Sequence, residues 1–240
     1  MNFIGPKIDE GPLPAVFYLA LSAEESLRTA PYNQPALHLS KLPLRIFSID
    51  IPGHGREQLS KEALQNWVEP LSRKENIIVD FAKRTAESIA TLIEQGVVVK
   101  EACAAMGLSR GVLIAAHVAA QLPAIRYLLG FAPLTKITQI QEFAAFKEDP
   151  FIQSLDMIHL SPLLKDRTIR FYIGNRDIRV GVRNCFDCIE KFVEEAYAAG
   201  VRSPPIELLI KPSIGFQGHG TAPHTFQEGA DWLASQFGLL

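Results

Sequence analysis

The sequence predicts a three-layer α/β/α sandwich on a mainly parallel sheet of about six strands, and three observations carry that expectation. Short β-branched and aromatic runs recur along the chain. Segments with helical spacing lie between them. Most of the runs are apolar throughout rather than alternating, as strands covered on both faces must be. With 240 residues, 48% of them hydrophobic, the chain can bury one large core, so a single domain over 1–240 is expected.

The strand-like runs fall at 15–20 (AVFYLA), 45–50 (RIFSID), 102–108 (ACAAMGL), 125–131 (IRYLLGF), 169–173 (IRFYI) and 206–210 (IELLI). Between the second and third, the spacing predicts a crossover helix over 77–94. Ile78, Phe81, Ala82, Ser88, Ile89, Leu92 and Ile93 share most of one face, and Lys83, Arg84 and Glu87 are left for the other. Further helices are predicted over 111–121, 184–199 and 226–237, the second closed by Gly200. Right-handed crossovers then place helices on both faces of the sheet. The connection over 132–167 is long and carries Phe143, Phe146, Phe151, Met157 and Leu160. It is read either as a small lid or as peripheral helices packing aromatics on the core.

A formal net charge of −2 leaves no cationic surplus, and no Lys/Arg-rich run is present to neutralise phosphates, so neither nucleic acid nor a membrane surface is expected as a partner. The first ten residues lack a basic stretch followed by an apolar one, and no apolar run approaches a membrane span; a cytoplasmic protein is expected. Cys103, Cys185 and Cys188 make an odd count that fits a reducing compartment. Cys185 and Cys188 spell C-x-x-C, but no second pair or His pair completes a ligand set, and helical spacing around them favours two ordinary helix thiols. No cofactor or metal is expected: G-x-G-x-x-G, a phosphate-binding loop and a ligand-spaced His cluster are all lacking.

Gly107-Leu108-Ser109-Arg110-Gly111 follows an apolar run and precedes helical spacing. A serine that turns the chain from strand to helix with its Oγ exposed sits in a strained conformation, and only very small residues at ±2 avoid a clash across the turn. Serine is a weak nucleophile at neutral pH, so it needs a base and a group to orient that base. Asp177 follows the run 169–173 in Gly174-Asn175-Arg176-Asp177, and His219 follows the last run between Gly218 and Gly220. Residues beyond the C-terminal ends of parallel strands converge on one edge of the sheet, where Ser109, Asp177 and His219 are expected to meet.

The order Ser, Asp, His, together with G-x-S-x-G after a strand, resembles the α/β-hydrolase superfamily over nearly the whole chain. The turn Asp50-Ile51-Pro52-Gly53-His54-Gly55 strengthens the resemblance. The turn around Asp177, the glycine-flanked His219 and the absence of a large cap are similar to the dienelactone-hydrolase and prolyl-oligopeptidase-like branch. The resemblance implies Ser109 as nucleophile, His219 as base and Asp177 as the acid that orients it, with no cofactor.

Each residue also has a plainer reading. Asp177 could simply cap a helix. His224 competes with His219 but falls at the start of the last helix, whereas glycine neighbours let a loop bring His219 over the serine. His54 is read as a structural hydrogen-bonding residue; His38, His117 and His159 have no supporting context. The oxyanion donors expected are the backbone N–H of Arg110 and that of Leu21 or Ser22, although the loop 19–25 lacks the His-Gly or glycine run that relatives often carry. Arg110, Arg176 and Arg179 are read first as structural ion-pairing residues, with the holding of a substrate carboxylate as the alternative. Phe216, like Phe17, Tyr18, Trp67 and Phe143, could line an acyl pocket or belong to the core. The function expected is a serine hydrolase acting on an ester or thioester of a small or medium-sized molecule. A prolyl-oligopeptidase-type peptidase and a non-catalytic binding protein that retains the fold are the alternatives.

Overall fold

Seven strands hydrogen-bond into one sheet in the computed structural model, which describes residues 1–55, 58 and 62–240. In chain order they are β1 (Asn2–Ile4), β2 (Leu13–Leu19), β3 (Arg45–Ser48), β4 (Val98–Leu108), β5 (Tyr127–Phe131), β6 (Thr168–Gly174) and β7 (Ile206–Lys211). The spatial order is β1-β3-β2-β4-β5-β6-β7. The six expected runs are β2 to β7, and every pairing among them is parallel. The additional strand, β1, pairs antiparallel with β3, setting Phe3 opposite Phe47. Three residues are too few to carry a period, which is why this edge strand left no mark in the sequence pattern.

The helices are α1 (Ala23–Arg28), α2 (Gln34–Leu39), α3 (Ala63–Ser72), α4 (Ile77–Glu94), α5 (Arg110–Gln121), α6 (Pro150–Gln153), α7 (Ser161–Leu164), α8 (Val182–Ala198) and α9 (Pro223–Gln236). Side chains that alternate along each strand feed two separate cores. Ala15, Phe17, Leu19, Cys103 and Ala105 pack with Trp67, Phe81, Ile89 and Phe192 on the face covered by α3, α4, α5 and α8. Val16, Tyr18, Ala104 and Met106 pack with Leu39, Phe226 and Leu233 on the face covered by α2 and α9. Two cores on one parallel sheet are the three layers the sequence predicts.

The segment 132–167 folds into α6, α7 and the 3-10 turns Ile137–Gln139, Gln141–Phe146 and Met157–Leu160. Phe143, Ile152, Leu155 and Met157 join the first core, and buried His117 on α5 donates its Nε2–H to the carbonyl of Leu155 over 3.0 Å. The segment thus packs apolar side chains into the first core.

At the N-terminal ends of the parallel strands, Arg45 is completely buried. Its guanidinium donates to the carbonyls of Pro6 (3.1 Å), Gly11 (2.8 Å), Val97 (2.6 Å) and Lys7. A buried cation is tolerable only when its donors are satisfied, and here one side chain ties the start of β2, β3 and β4 to the segment after β1.

Candidate active site

Ser109 joins β4 to α5 with φ 55° and ψ −121°, a left-handed conformation that a residue with a Cβ adopts only under constraint. The constraint is backbone packing. A Cβ on Gly107 would lie 2.5 Å from the Cα of Val112, and one on Gly111 would lie 1.9 Å from the carbonyl oxygen of Leu19. The turn is pinned from both sides: Ser109 N–H donates to the carbonyl of Phe131 at 2.8 Å, and its own carbonyl accepts from Leu134 at 3.2 Å and Val112 at 3.0 Å.

Asp177 lies just beyond β6 with its side chain fully shielded from solvent. One carboxylate oxygen accepts the backbone N–H groups of Arg179 (3.1 Å) and Val180 (3.2 Å). The other stands 2.7 Å from Nδ1 of His219. The capping geometry and the contact to histidine thus coexist in one residue, with the backbone bonds fixing the carboxylate plane that the histidine meets. His219 sits in the loop after β7. The neighbouring Gly218 has φ 72° and presses on the Asp177 turn so closely that a Cβ there would be 2.2 Å from the carbonyl oxygen of Arg176. Ile178 N–H donates to Gln217 at 3.0 Å and Arg176 N–H to Ser213 Oγ at 2.6 Å, so the two loops are held as one unit.

Nε2 of His219 lies 2.8 Å from Oγ of Ser109. With Nδ1–H donated to the Asp177 carboxylate, Nε2 carries the lone pair and accepts the serine hydroxyl proton. The structure thus brings the three expected residues into one chain of hydrogen bonds, whereas His224 is exposed at the first turn of α9.

A cavity of about 670 Å³ opens beside Ser109 and His219, with Leu21, Tyr32, Leu64, Leu108, Phe226 and the two guanidinium-bearing residues Arg110 and Arg179 in its wall. Phe216 stands at its edge, 81% exposed, so it is a rim residue and no part of the core. Arg176 is exposed and outside the cavity lining. No residue of 132–167 lines the cavity; that segment reaches it through Glu142, whose Oε1 accepts from Nη2 of Arg179 at 3.3 Å. Burial, and after it the nearby charge of Arg179, lowers the Arg110 guanidinium to about 10.

The oxyanion loop departs from expectation. Ser22 is the N-cap of α1, and its N–H donates to Glu25 Oε2 at 3.2 Å. Leu21 N–H donates to Ser26 Oγ at 3.1 Å. The Ser22 amide is thus engaged in starting a helix, as the Ser22-x-x-Glu25 capping-box spacing foretells, while the Leu21 amide meets a neutral hydroxyl. Arg110 N–H lies in the first turn of α5, where helix geometry provides no intrahelical acceptor. His54 is also corrected: its buried ring makes no hydrogen bond from either nitrogen among the described residues, and Glu25 Oε2 is 4.0 Å away. Burial chiefly, and then the charge of Arg110, lowers its pKa to about 4, against the opposing pull of Glu25 and Asp50.

Cys185 and Cys188 are buried on α8, where burial raises both thiols. Among the described residues no three His, Cys, Asp or Glu side chains come together as a metal-ligand group, and no helix is long and apolar enough to cross a membrane.

No protein-family model and no curated protein matches the chain. Solved structures do. A cold-adapted esterase from an Arctic intertidal metagenomic library superposes with a TM-score of 0.66 at 15% identity, covering 98% of this chain and 86% of that one. Est1E from Butyrivibrio proteoclasticus, solved with ferulic acid bound, gives 0.62 at 15% identity over 99% and 94%. Dipeptidyl peptidase 4 from Porphyromonas gingivalis gives 0.65 at 14% identity over 99% of this chain and 33% of its own, so the chain spans about a third of that peptidase. At these identities the likeness is one of fold, and the chain has the α/β-hydrolase fold that these esterases and peptidases share.

Proposed function

We propose that the chain is a serine hydrolase that cleaves an ester or thioester of a small or medium-sized molecule. One observation carries the proposal: the unbroken chain of hydrogen bonds from Asp177 through His219 to Ser109, at 2.7 and 2.8 Å, beside a cavity large enough for such a substrate. His219 takes the Oγ proton as Ser109 attacks the carbonyl. Asp177 holds the tautomer and stabilises the imidazolium that forms. His219 then gives the proton to the departing alkoxide or thiolate, and water, activated by the same nitrogen, releases the acid from Ser109.

The oxyanion is assigned to the N–H groups of Arg110 and Leu21. Leu21 lines the cavity, and a developing oxyanion is a better acceptor than the neutral Ser26 hydroxyl its amide now meets. Ser22 is left out of this assignment because its amide belongs to the cap.

The test is covalent labelling by a fluorophosphonate together with hydrolysis of short-chain p-nitrophenyl esters. Ser109→Ala is expected to abolish labelling and to lower turnover by about 10⁴-fold or more, and His219→Ala to cost far more than His224→Ala. Labelling that survives Ser109→Ala, or a larger loss at His224, overturns the assignment. An aminoacyl amide in the same substrate set reports whether the leaving group can be an amine.

A further inference from the structure

We propose that the substrate carries a carboxylate, separated from its scissile carbonyl by an apolar spacer, and that Arg179 receives it beside the Arg110 charge, with Glu142 as the counter-ion of Arg179 that it competes against. The inference rests on the hydrolase reading and adds the substrate class.

Both guanidiniums lie in the wall of the cavity that holds Ser109 and His219. The rest of that wall is mainly apolar, Leu64, Leu108 and Phe226 among it. Two like charges in such a wall raise each other's energy, and the field of Arg179 is one reason the Arg110 guanidinium sits at about 10, after burial. A guanidinium held by one long carboxylate contact beside a nucleophile, as Arg179 is, favours an anionic substrate over a neutral one.

The contact between Arg179 and Glu142 has the form of a replaceable one. It is a single bond from Nη2 to Oε1 at 3.3 Å. The second oxygen of Glu142 is buried and has no hydrogen-bond partner among the described residues. A guanidinium and a carboxylate at their best make two parallel bonds of about 2.8 Å, so this pair leaves donors of Arg179 available to an incoming carboxylate. Arg110 also interacts with Glu25, Glu142 and Tyr32 electrostatically, so the local field is balanced rather than simply positive. That balance makes the site selective: a carboxylate aligned to the Arg179 fork gains, and a diffuse anion gains little. Arg176, though next to Asp177 in sequence, has no part in this because it faces solvent away from the cavity. The same arrangement gives the segment 132–167 a role in specificity that is electrostatic, through Glu142.

Two matched substrate pairs test the idea. p-Nitrophenyl hydrogen glutarate against p-nitrophenyl pentanoate places the carboxylate on the acyl side; 4-butyryloxybenzoate against its methyl ester places it on the alcohol side. For at least one pair, kcat/KM of the wild-type protein should favour the carboxylate by about tenfold, the scale of a charge-assisted bidentate contact. Arg179→Gln should bring that ratio close to one, Arg179→Lys should restore part of it, and Glu142→Gln should raise it. A wild-type ratio of one or less in both pairs overturns the proposal without recourse to any variant.

Binding separates this proposal from the hydrolase reading. Calorimetric titration of Ser109→Ala with monomethyl glutarate and with methyl pentanoate should show the same preference. Preference in binding without wild-type turnover would sink the hydrolase reading and keep the anion site; turnover without preference would do the reverse.

Discussion

At the N-terminal ends of the parallel strands, Arg45 is wholly buried and gives its donors to four carbonyls, those of Pro6, Lys7, Gly11 and Val97. At the C-terminal ends of the same strands, Ser109 is held at φ 55°, Gln217 at φ 57°, and His54 is buried with neither ring nitrogen bonded among the described residues. Both ends contain polar groups removed from water. They differ in what those groups are doing. At the first end all three guanidinium nitrogens of Arg45 are bonded to carbonyls, so the side chain works as a clamp. At the second, the strained Ser109 lines a cavity of about 670 Å³, with His54 outside that lining, and the cavity is where interactions can be made with something other than the protein. Strain of this kind persists only because the surrounding backbone over-determines it.

The largest effect expected from breaking this contrast is at Gly111. Its Cα approaches the Leu19 carbonyl so closely that Gly111→Ala forces backbone apart where β2 meets α5, with the new Cβ 1.9 Å from that oxygen. The loss of stability should be about 5 kcal/mol, in the range reserved for core distortion, and the labelling rate of Ser109 in whatever folds should fall at least a hundredfold. Thermal melts and fluorophosphonate kinetics read the two quantities. A folded, fully reactive Gly111→Ala protein would mean that the elbow is not held by this contact.

Arg45→Met tests the other end. Four carbonyls would lose their donor at about 1 kcal/mol each, giving a destabilisation near 4 kcal/mol, while the labelling rate of the folded protein should stay unchanged because the site lies at the opposite edge of the sheet. Urea unfolding and labelling measured on the same preparation separate the two. A slowed Ser109 would show that the ends are coupled through the strands.

The contrast also explains what could be read from sequence. Strands buried on both faces and the helix α4 were legible because each repeats one period over enough residues to exceed chance, and the bounds Ile77–Glu94 agree with the spacing of Ile78, Phe81, Ala82 and Ile89. The hydrogen-bonded set of Ser109, His219 and Asp177 was legible for a different reason: the glycines at fixed offsets from Ser109 are steric requirements, as Gly107 and Gly111 now show through the atoms a Cβ would strike. What stayed hidden depends on contacts between distant segments. Nothing near Glu142 in sequence indicates that it meets Arg179, 37 residues on. Arg45, in a run of strand residues, gives no sign that it would be buried on carbonyls from three other segments. The oxyanion loop is instructive, because Ser22 and Glu25 carry a local signal. The rule that a donor loop follows the first long strand and the rule that Ser-x-x-Glu begins a helix both apply there, and the Ser22 amide follows the second.

His54 sharpens the comparison most finely, because it is a buried polar side chain at the site end that lacks the satisfied bonds of Arg45. In the folded protein burial and the Arg110 charge hold its pKa at about 4, Glu25 and Asp50 pulling the other way; in the unfolded chain it returns to about 6.5. The neutral ring is therefore favoured by folding. Its contribution is fully present above pH 6.5 and is lost as the pH falls toward 4, because the unfolded state then binds a proton that the folded state refuses. The difference amounts to at most about 3 kcal/mol at pH 4. Replacing the ring by an apolar one of similar size removes the titration without stranding a partner, since neither nitrogen has one among the described residues. Urea unfolding of wild type and His54→Phe at pH 7.5 and 4.5 should show the wild type losing more stability on acidification, with the gap between the two slopes confined to that window. Parallel pH dependence would mean that His54 is solvated or bonded in solution, and the two ends of the sheet would then differ in strain alone.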